Sequence, residues 1–411
     1  MSKTLLTGCR IFDGTGSDLR NQDLLIEGET LRLVGPGAEA GADETVDLAG
    51  ATVLPGFIDS HVHVCLSTLD LIANLGYPFS YQFFLAERNL RRTLDVGITT
   101  VRDASGADLG IQRAVDDGLI DGPALRISII ALSQTGGHGD HWLPSGNVPE
   151  VLKEHPGRPS GIVDGPDEAR KRVRELIRDG ANFIKVNTSG GVFSPRDNPA
   201  HAHFTQEELD AIVGEAARVD IPSMAHAHGA AGIKAAVRAG VRSIEHGTEL
   251  DDEAIKLMLD NGTWLVPTLG VSQFIIDRID QGAAVAPGIA EKAKSNHQLR
   301  ADSFRRAVEA GVRVAMGSDS AAEMHGGNLI ELRLMHEGGM APLQVLEAAT
   351  RSSAELLGID DRVGTIADGK QADLVVVGGD PLDFAAYPGN VRRVYRRGRL
   401  VRQYPAGPAA V

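Results

Sequence analysis

Residues 56–64 read GFIDSHVHV. An apolar run ends in His61 and His63, one residue apart, with Asp59 two places before His61. Histidine fills a buried strand badly unless something uses its nitrogens. On a strand, residues two apart share a face, so Asp59, His61 and His63 point together. Two neutral imidazoles aimed at one point can clamp a transition metal. Two hydrogen-bonded core histidines are the plainer reading, and the rest of the chain must decide between them.

The run belongs to a series. Apolar β-type runs fall at Thr52–His63, Ile98–Asp103, Leu125–Leu132, Phe183–Thr188, Ile221–His228, Ser243–His246, Thr263–Leu269 and Val312–Ser318. Between most of them lie stretches such as DEARKRVRELIRDGA and TQEELDAIVGEAARV, with apolar residues at three- and four-residue spacing. Several close on glycine, the usual stop at a helix C-terminus. Eight strands alternating with helices predict an α/β chain with a (β/α)8 TIM barrel over 55–364. A doubly wound open sheet fits the alternation too, but no GxGxxG follows the first strand. The two ends differ from the middle. TLLTGCRIFDGTG and DLLIEGETLRLVGPG near the start, and GKQADLVVVGGDP and VRRVYRRGRLV near the end, are short strands and turns. They predict a small β-sandwich domain assembled from 1–54 and 365–411.

Composition narrows the partners. A net charge of −14 argues against a nucleic-acid backbone or an anionic membrane. No stretch has the apolar length of a signal peptide or a membrane span. Cys9 and Cys65 alone make no disulfide framework. These features lead us to expect a soluble, cytoplasmic protein acting on a small molecule.

The other strand ends favour the metal. Lys185 stands inside the apolar fourth run, where an ammonium is costly unless paired or neutralised. His226 and His228 end the fifth run, His246 the sixth, and Asp319 follows the eighth. In a barrel all of these lie at one mouth, the face that carries catalysis. Packing alone would not gather them there.

The set HxH, Lys, His, His, Asp on strands one, four, five, six and eight resembles the amidohydrolase superfamily. PGFIDSHVH, TGGHGD, HAHG and IEHG resemble its imidazolonepropionase-like branch, which includes Xaa-Pro dipeptidases, carboxypeptidases of basic residues and ochratoxin-degrading amidohydrolases. The resemblance covers nearly the whole chain. It implies two divalent metal ions, zinc being the first choice. His61, His63 and Asp319 would hold one and His226 and His246 the other, with Lys185, carboxylated on its amine, as the bridge. A carbamate turns a cation that would repel metal into an anion with two oxygens, and with Asp319 and a bridging hydroxide it offsets most of the metal charge. The resemblance also implies a homo-oligomer.

It leaves the substrate side more open. His226 and His228 share a face, and the resemblance aligns His226 with the ligand, which leaves His228 facing substrate. His138, between glycines, is expected to contact substrate and reach a developing oxyanion. His141, Arg196 and His325 are further candidates for holding it. Arg196 stands in a long Gly- and Pro-containing loop that reads as a movable rim, where His201 and His203 are expected to be solvated. Asp59 is expected to orient a ligand or its backbone. Cys65 is read as filler. The expected reaction is hydrolysis of a dipeptide or N-acyl amino acid with a free carboxylate, ochratoxin included, with Asp319 as general base. A single-metal cyclic-amide hydrolase or deaminase would not need Lys185, and a non-catalytic scaffold would be expected to have lost ligands.

Overall fold

The computed structural model describes residues 2–405 apart from 36, 38–40, 67, 69–73, 144, 193, 195, 196 and 283–288. Eight parallel segments close the barrel. They are Phe57–His63, Ile98–Asp103, a broken third strand, Ile184–Asn187, Ser223–Ala227, Ser243–His246, Trp264–Val266 and a stretch around Val314 that continues into Ser320–Ala321. The third strand breaks because Ile129 takes a left-handed φ of 70°. Its first half, Ala124–Ile127, pairs with strand two and its second, Ala131–Leu132, with strand four.

The expected first and eighth runs are corrected. Thr52–His63 is two strands. Thr52–Pro55 pairs with Leu374–Val377 and Arg10–Ile11 outside the barrel, and Phe57–His63 enters it. Gly56 sits at the join, where an added Cβ would lie 2.2 Å from the Thr99 hydroxyl. The eighth run forms no continuous ladder. It closes the barrel by Leu265 N–H to Arg313 O, Ala315 N–H to Leu265 O, Ser60 N–H to Met316 O and Asp319 N–H to His61 O.

The helices follow the expected periodicity, at Pro166–Arg178, Gln206–Ala217, Ala230–Ala239 and Ile289–Glu309 among others. Gln206–Ala217 starts on a capping box between Thr205 and Glu208, which satisfies two otherwise unpaired backbone donors. Ala230–Ala239 stops at Gly240 in the left-handed region. The barrel strands are buried along nearly their whole length and carry polar residues among the apolar ones.

Strands from both ends of the chain form one six-stranded sheet, in the order Arg399–Gln403, Val391–Arg396, Leu374–Val377, Thr52–Pro55, Arg10–Ile11, Arg20–Asn21. A four-stranded sheet of Thr30–Val34, Asp23–Glu27, Lys3–Thr7 and Glu44–Asp47 packs on it through Leu6, Ile11, Leu24, Val53 and Leu374. Among the described residues, no helix is long and apolar enough to cross a membrane.

Candidate metal centre

The strand ends bring two trios together. His61, His63 and Asp319 form one, and His226, His228 and His246 the other, each with its ligand atoms within 4.8 Å of one another. Lys185 Nζ is 3.4 Å from His61 Nε2. Asp319 joins the trios. Its Oδ1 lies 3.5 Å from His61 Nε2 and 3.3 Å from His63 Nε2, and its Oδ2 lies 4.0 Å from His246 Nδ1. Strand register accounts for part of this, since Asn187 pairs with His226 and Ala227 with His246.

Backbone strain accounts for the rest. His246, Thr268 and Asp319 all have positive φ, at 72°, 50° and 56°. Non-glycine residues rarely hold that conformation, and here three do so at the barrel mouth. At His246 the turn undoes strand alternation. Glu245 and His246 are neighbours in sequence, yet both face the interior, Glu245 reaching His61 at 2.7 Å and His246 stacking 4.9 Å from His228.

The outer ring nitrogens have defined partners. His61 Nδ1 donates to Glu245 Oε2, and His63 Nδ1 to the Ser105 carbonyl at 3.2 Å. His226 Nε2 donates to the Gly190 carbonyl at 3.2 Å. Carbonyls and carboxylates only accept, so these three nitrogens carry protons, and in the neutral ring each leaves a lone pair on the other nitrogen. His228 and His246 instead rest on hydroxyls, Thr248 Oγ1 and Thr268 Oγ1, both at 2.7 Å. Buried Arg300 donates to both threonines and to the Thr268 carbonyl.

Burial pushes the basicity of His61, His226, His228 and His246 well below the ordinary imidazole range, and neighbouring cations add to the shift. Burial lowers His63 too, but its hydrogen bond and charge contact with Asp319 outweigh that and raise it. Asp319 is the mirror case. Burial would raise it, and His61, His63 and Lys185 hold it below the usual carboxylate range. Burial draws Lys185 down to about 8 against the pull of Glu245 and Asp319.

This donor set fits metal. Imidazole nitrogens converge in each trio, an arrangement that suits a cation held between them. Asp319 adds an anion to the first trio. Distance does not separate His228 from His226 and His246, so all three are candidates for the second ion.

Other expected residues fall into place. Asp59 accepts from Ser318 N and Oγ, Asn328 Nδ2 and His61 N, and so ties strand one to strand eight. His138 stacks on His226 with ring centroids 4.3 Å apart, and burial lowers it to about 3. His141 is nearby, its Nδ1 buried with no hydrogen-bond partner among the described residues. His325 is buried under strand one, bonded to Thr93 and to the His63 carbonyl. Arg196 lies outside the described residues. His201 is exposed as expected, but His203 is buried at 5% exposure. Among the described residues of the rim, Ser194 and Asp197 have fixed partners. Asp197 accepts from Gly191 N and Ser194 Oγ, and Lys292 donates to the Ser194 and Asp197 carbonyls. Burial holds the Cys65 thiol neutral, which suits filler.

Sequence reading missed Glu245, Arg102, Thr248, Thr268 and Arg300. Arg102 bonds Glu245 at 3.0 Å and donates to the Ser60 carbonyl, so it holds the carboxylate that holds His61. An arginine within the apolar run Ile98–Asp103 was a signal of the same kind as Lys185.

The profile of the amidohydrolase family matches residues 52–401. Ochratoxinase from Aspergillus niger is 35% identical over 98% of this chain and 88% of its own, and its crystal structure superposes with a TM-score of 0.86. A prolidase complexed with N-methylphosphonate-L-proline is 36% identical over 98% of this chain and all of its own, with a TM-score of 0.90. A Xaa-Pro dipeptidase with methionine in its active site is 34% identical over 97% of this chain and 99% of its own, with a TM-score of 0.89.

Proposed function

This chain belongs to the amidohydrolase family as a metal-dependent hydrolase of carbon–nitrogen bonds, and we propose that it cleaves the amide of a dipeptide or N-acyl amino acid bearing a free carboxylate. The observation that carries the reading is the pair of ligand trios, with Lys185 Nζ against His61 of the first and Asp319 of the first reaching towards His246 of the second. The relatives named above, an ochratoxinase, a prolidase and a Xaa-Pro dipeptidase, support the substrate class.

Two divalent ions bound here, with zinc as the first candidate, would polarise the carbonyl and bring a water's pKa from 15.7 to about 7. The residues of the chain do the rest. A lysine drawn to about 8 has a usable fraction of neutral amine at physiological pH, which carboxylation by carbon dioxide needs. Its carbamate would supply the anion that the all-histidine trio lacks. Asp319 Oδ1, against His61 and His63, takes the proton of the attacking water and returns it to the leaving amine. His138, stacked on His226, and whichever histidine of the second trio is not a ligand, His228 by the resemblance, meet the substrate.

The carboxylate requirement is tested by comparing each good substrate with its methyl ester and amide on metal-loaded protein. A neutral analogue cannot make the charge-assisted hydrogen bond, which costs it about 1.5–3 kcal/mol, roughly ten- to a hundredfold in kcat/KM. Equal rates would show that no residue reads the carboxylate.

A further inference from the structure

Thr268 immediately precedes the helix Leu269–Asp280, and it does not do what a threonine there ordinarily does. A threonine in that place takes extended backbone, and its hydroxyl accepts a hydrogen bond from one of the first helical N–H groups. Thr268 is left-handed, at φ 50°, and its hydroxyl makes no such bond. The hydroxyl turns to the barrel mouth instead, 2.7 Å from His246 Nδ1. Arg300 donates to it at 3.3 Å and to the Thr268 carbonyl at 2.8 Å.

The helix start is capped from elsewhere. Glu331, fully buried on the helix Ile330–Glu337, accepts from Leu269 N–H at 2.9 Å with Oε1 and from Gly270 N–H at 2.6 Å with Oε2. These are the first two N–H groups of Leu269–Asp280, which have no partner within the helix, and its positive end favours an acceptor of this kind. Glycine at 270 allows the close approach, since an added Cβ would lie 3.1 Å from Glu331 Oε2 and 3.0 Å from Ile330 Cγ2. Glu331 is placed by its own segment, where Asn328 donates to Asp59 and Ser318. Burial pushes the Glu331 carboxyl up to about 8 against the pull of the two N–H bonds and of Arg300. Among the described residues nothing accepts a hydrogen bond from it, and both oxygens face donors.

We propose that Glu331 is a positioning residue for the metal centre: by capping Leu269–Asp280 in place of Thr268, it frees the Thr268 hydroxyl to hold His246. This rests on the reading that the trio of His226, His228 and His246 holds an ion. Glu331 itself bonds none of the three. Its effect passes through the turn at Thr268, a conformation that a threonine adopts at a cost and keeps only where its surroundings hold it.

The test is a double-mutant cycle on the full-length protein, with Glu331→Gln, Thr268→Val and the two together. Glutamine keeps the shape but offers one oxygen where two N–H groups need acceptors. Zinc is titrated against a competing chelator. Glu331→Gln is expected to weaken one of the two ions about tenfold and leave the other unchanged. Thr268→Val should weaken the same ion, and in that background Glu331→Gln should add little, because the hydroxyl it frees is gone. A second readout needs no metal. In metal-free protein, amide hydrogen exchange at Leu269 and Gly270 should speed up about tenfold in Glu331→Gln. Unchanged zinc affinity in Glu331→Gln, effects that add in full, or equal weakening of both ions would overturn the proposal. A single ion in the wild type would instead remove the reading of the second trio, and unchanged exchange at Leu269 and Gly270 would then overturn the cap.

Discussion

The two trios at the barrel mouth are built differently. The strand-one trio carries its own anion, Asp319, and its histidines rest on a carboxylate, Glu245, and a carbonyl, Ser105 O. The strand-five and strand-six trio is three imidazoles, and two of them rest on threonine hydroxyls backed by the Arg300 cation. A dication in the first trio meets negative charge at once. A dication in the second would meet neutral rings and a nearby guanidinium, with the Asp319 carboxylate already engaged by the first trio and 4.0 Å from His246 Nδ1, so it would depend on a further anion. Lys185, whose charge is felt by His61, His226 and His228 alike, is the group placed to bring it.

The largest effect should come from removing that group. Lys185→Ala is expected to empty the all-histidine trio and leave the Asp319 trio occupied, with turnover down on the order of 10⁴-fold as several kcal/mol of charge stabilisation disappears. Acetate or propionate should restore part of the activity by filling the bridge. Equal loss of metal from both trios, measured by elemental analysis against wild type, would erase the contrast.

Asp319→Asn comes next. Asparagine keeps the shape and one ligand oxygen but accepts no proton. Steady-state kinetics should show kcat down on the order of 10²–10⁴-fold, KM changed far less and much of the metal retained. Near-wild-type turnover in a folded, metal-loaded variant would defeat the assignment of the base.

Legibility from sequence followed the same division. His61, His63, Lys185, His226, His246 and Asp319 stood out because a polar residue at the end of an apolar strand is expensive, and that cost shows in one dimension. Glu245 did not. Strict alternation sends it to the opposite face from His246, and only the left-handed turn at His246 brings both inward. Arg300 sits on a helix among ordinary charged residues and reaches the site only through tertiary packing. The first and eighth strands were misjudged because apolar runs mark burial, and burial is shared by a terminal sheet, a barrel strand and an extended closing segment. The sites of helices and the pairing of the two ends were legible because periodicity and turn residues are local.

The outer partners offer a finer cut. Glu245→Gln should weaken metal at the Asp319 trio by about 10–100-fold, and Thr268→Val should weaken the all-histidine trio instead. Chelator competition on each variant measures this. Loss at the same trio in both would mean that the outer partners do not distinguish them.

The smallest expected effect is thermal. In metal-free protein, His61, His138, His226, His228 and His246 have folded-state affinities for protons below those of the unfolded chain, while His63 alone lies above. For the five, the unfolded chain binds more protons below its ordinary histidine pKa of about 6.5, so stability falls as pH falls through that value. For His63 the sign is opposite, and its contribution is present below about 6.5 and fades as pH rises through its raised folded value. His141, His155, His203, His297 and His325 are lowered too, which makes ten histidines against His63 and the buried carboxyls of Asp59 and Glu331, raised by burial to about 6 and about 8. That balance predicts a net fall in the melting temperature of chelated protein from pH 7 to pH 5. A rise over that range would mean that the raised groups dominate.

Metal stoichiometry tests the central claim most directly. Elemental analysis of protein reloaded with zinc in bicarbonate should give two ions per chain, because Lys185 as a carbamate would supply the charge that the second trio lacks. One ion or fewer under those conditions would contradict the binuclear centre.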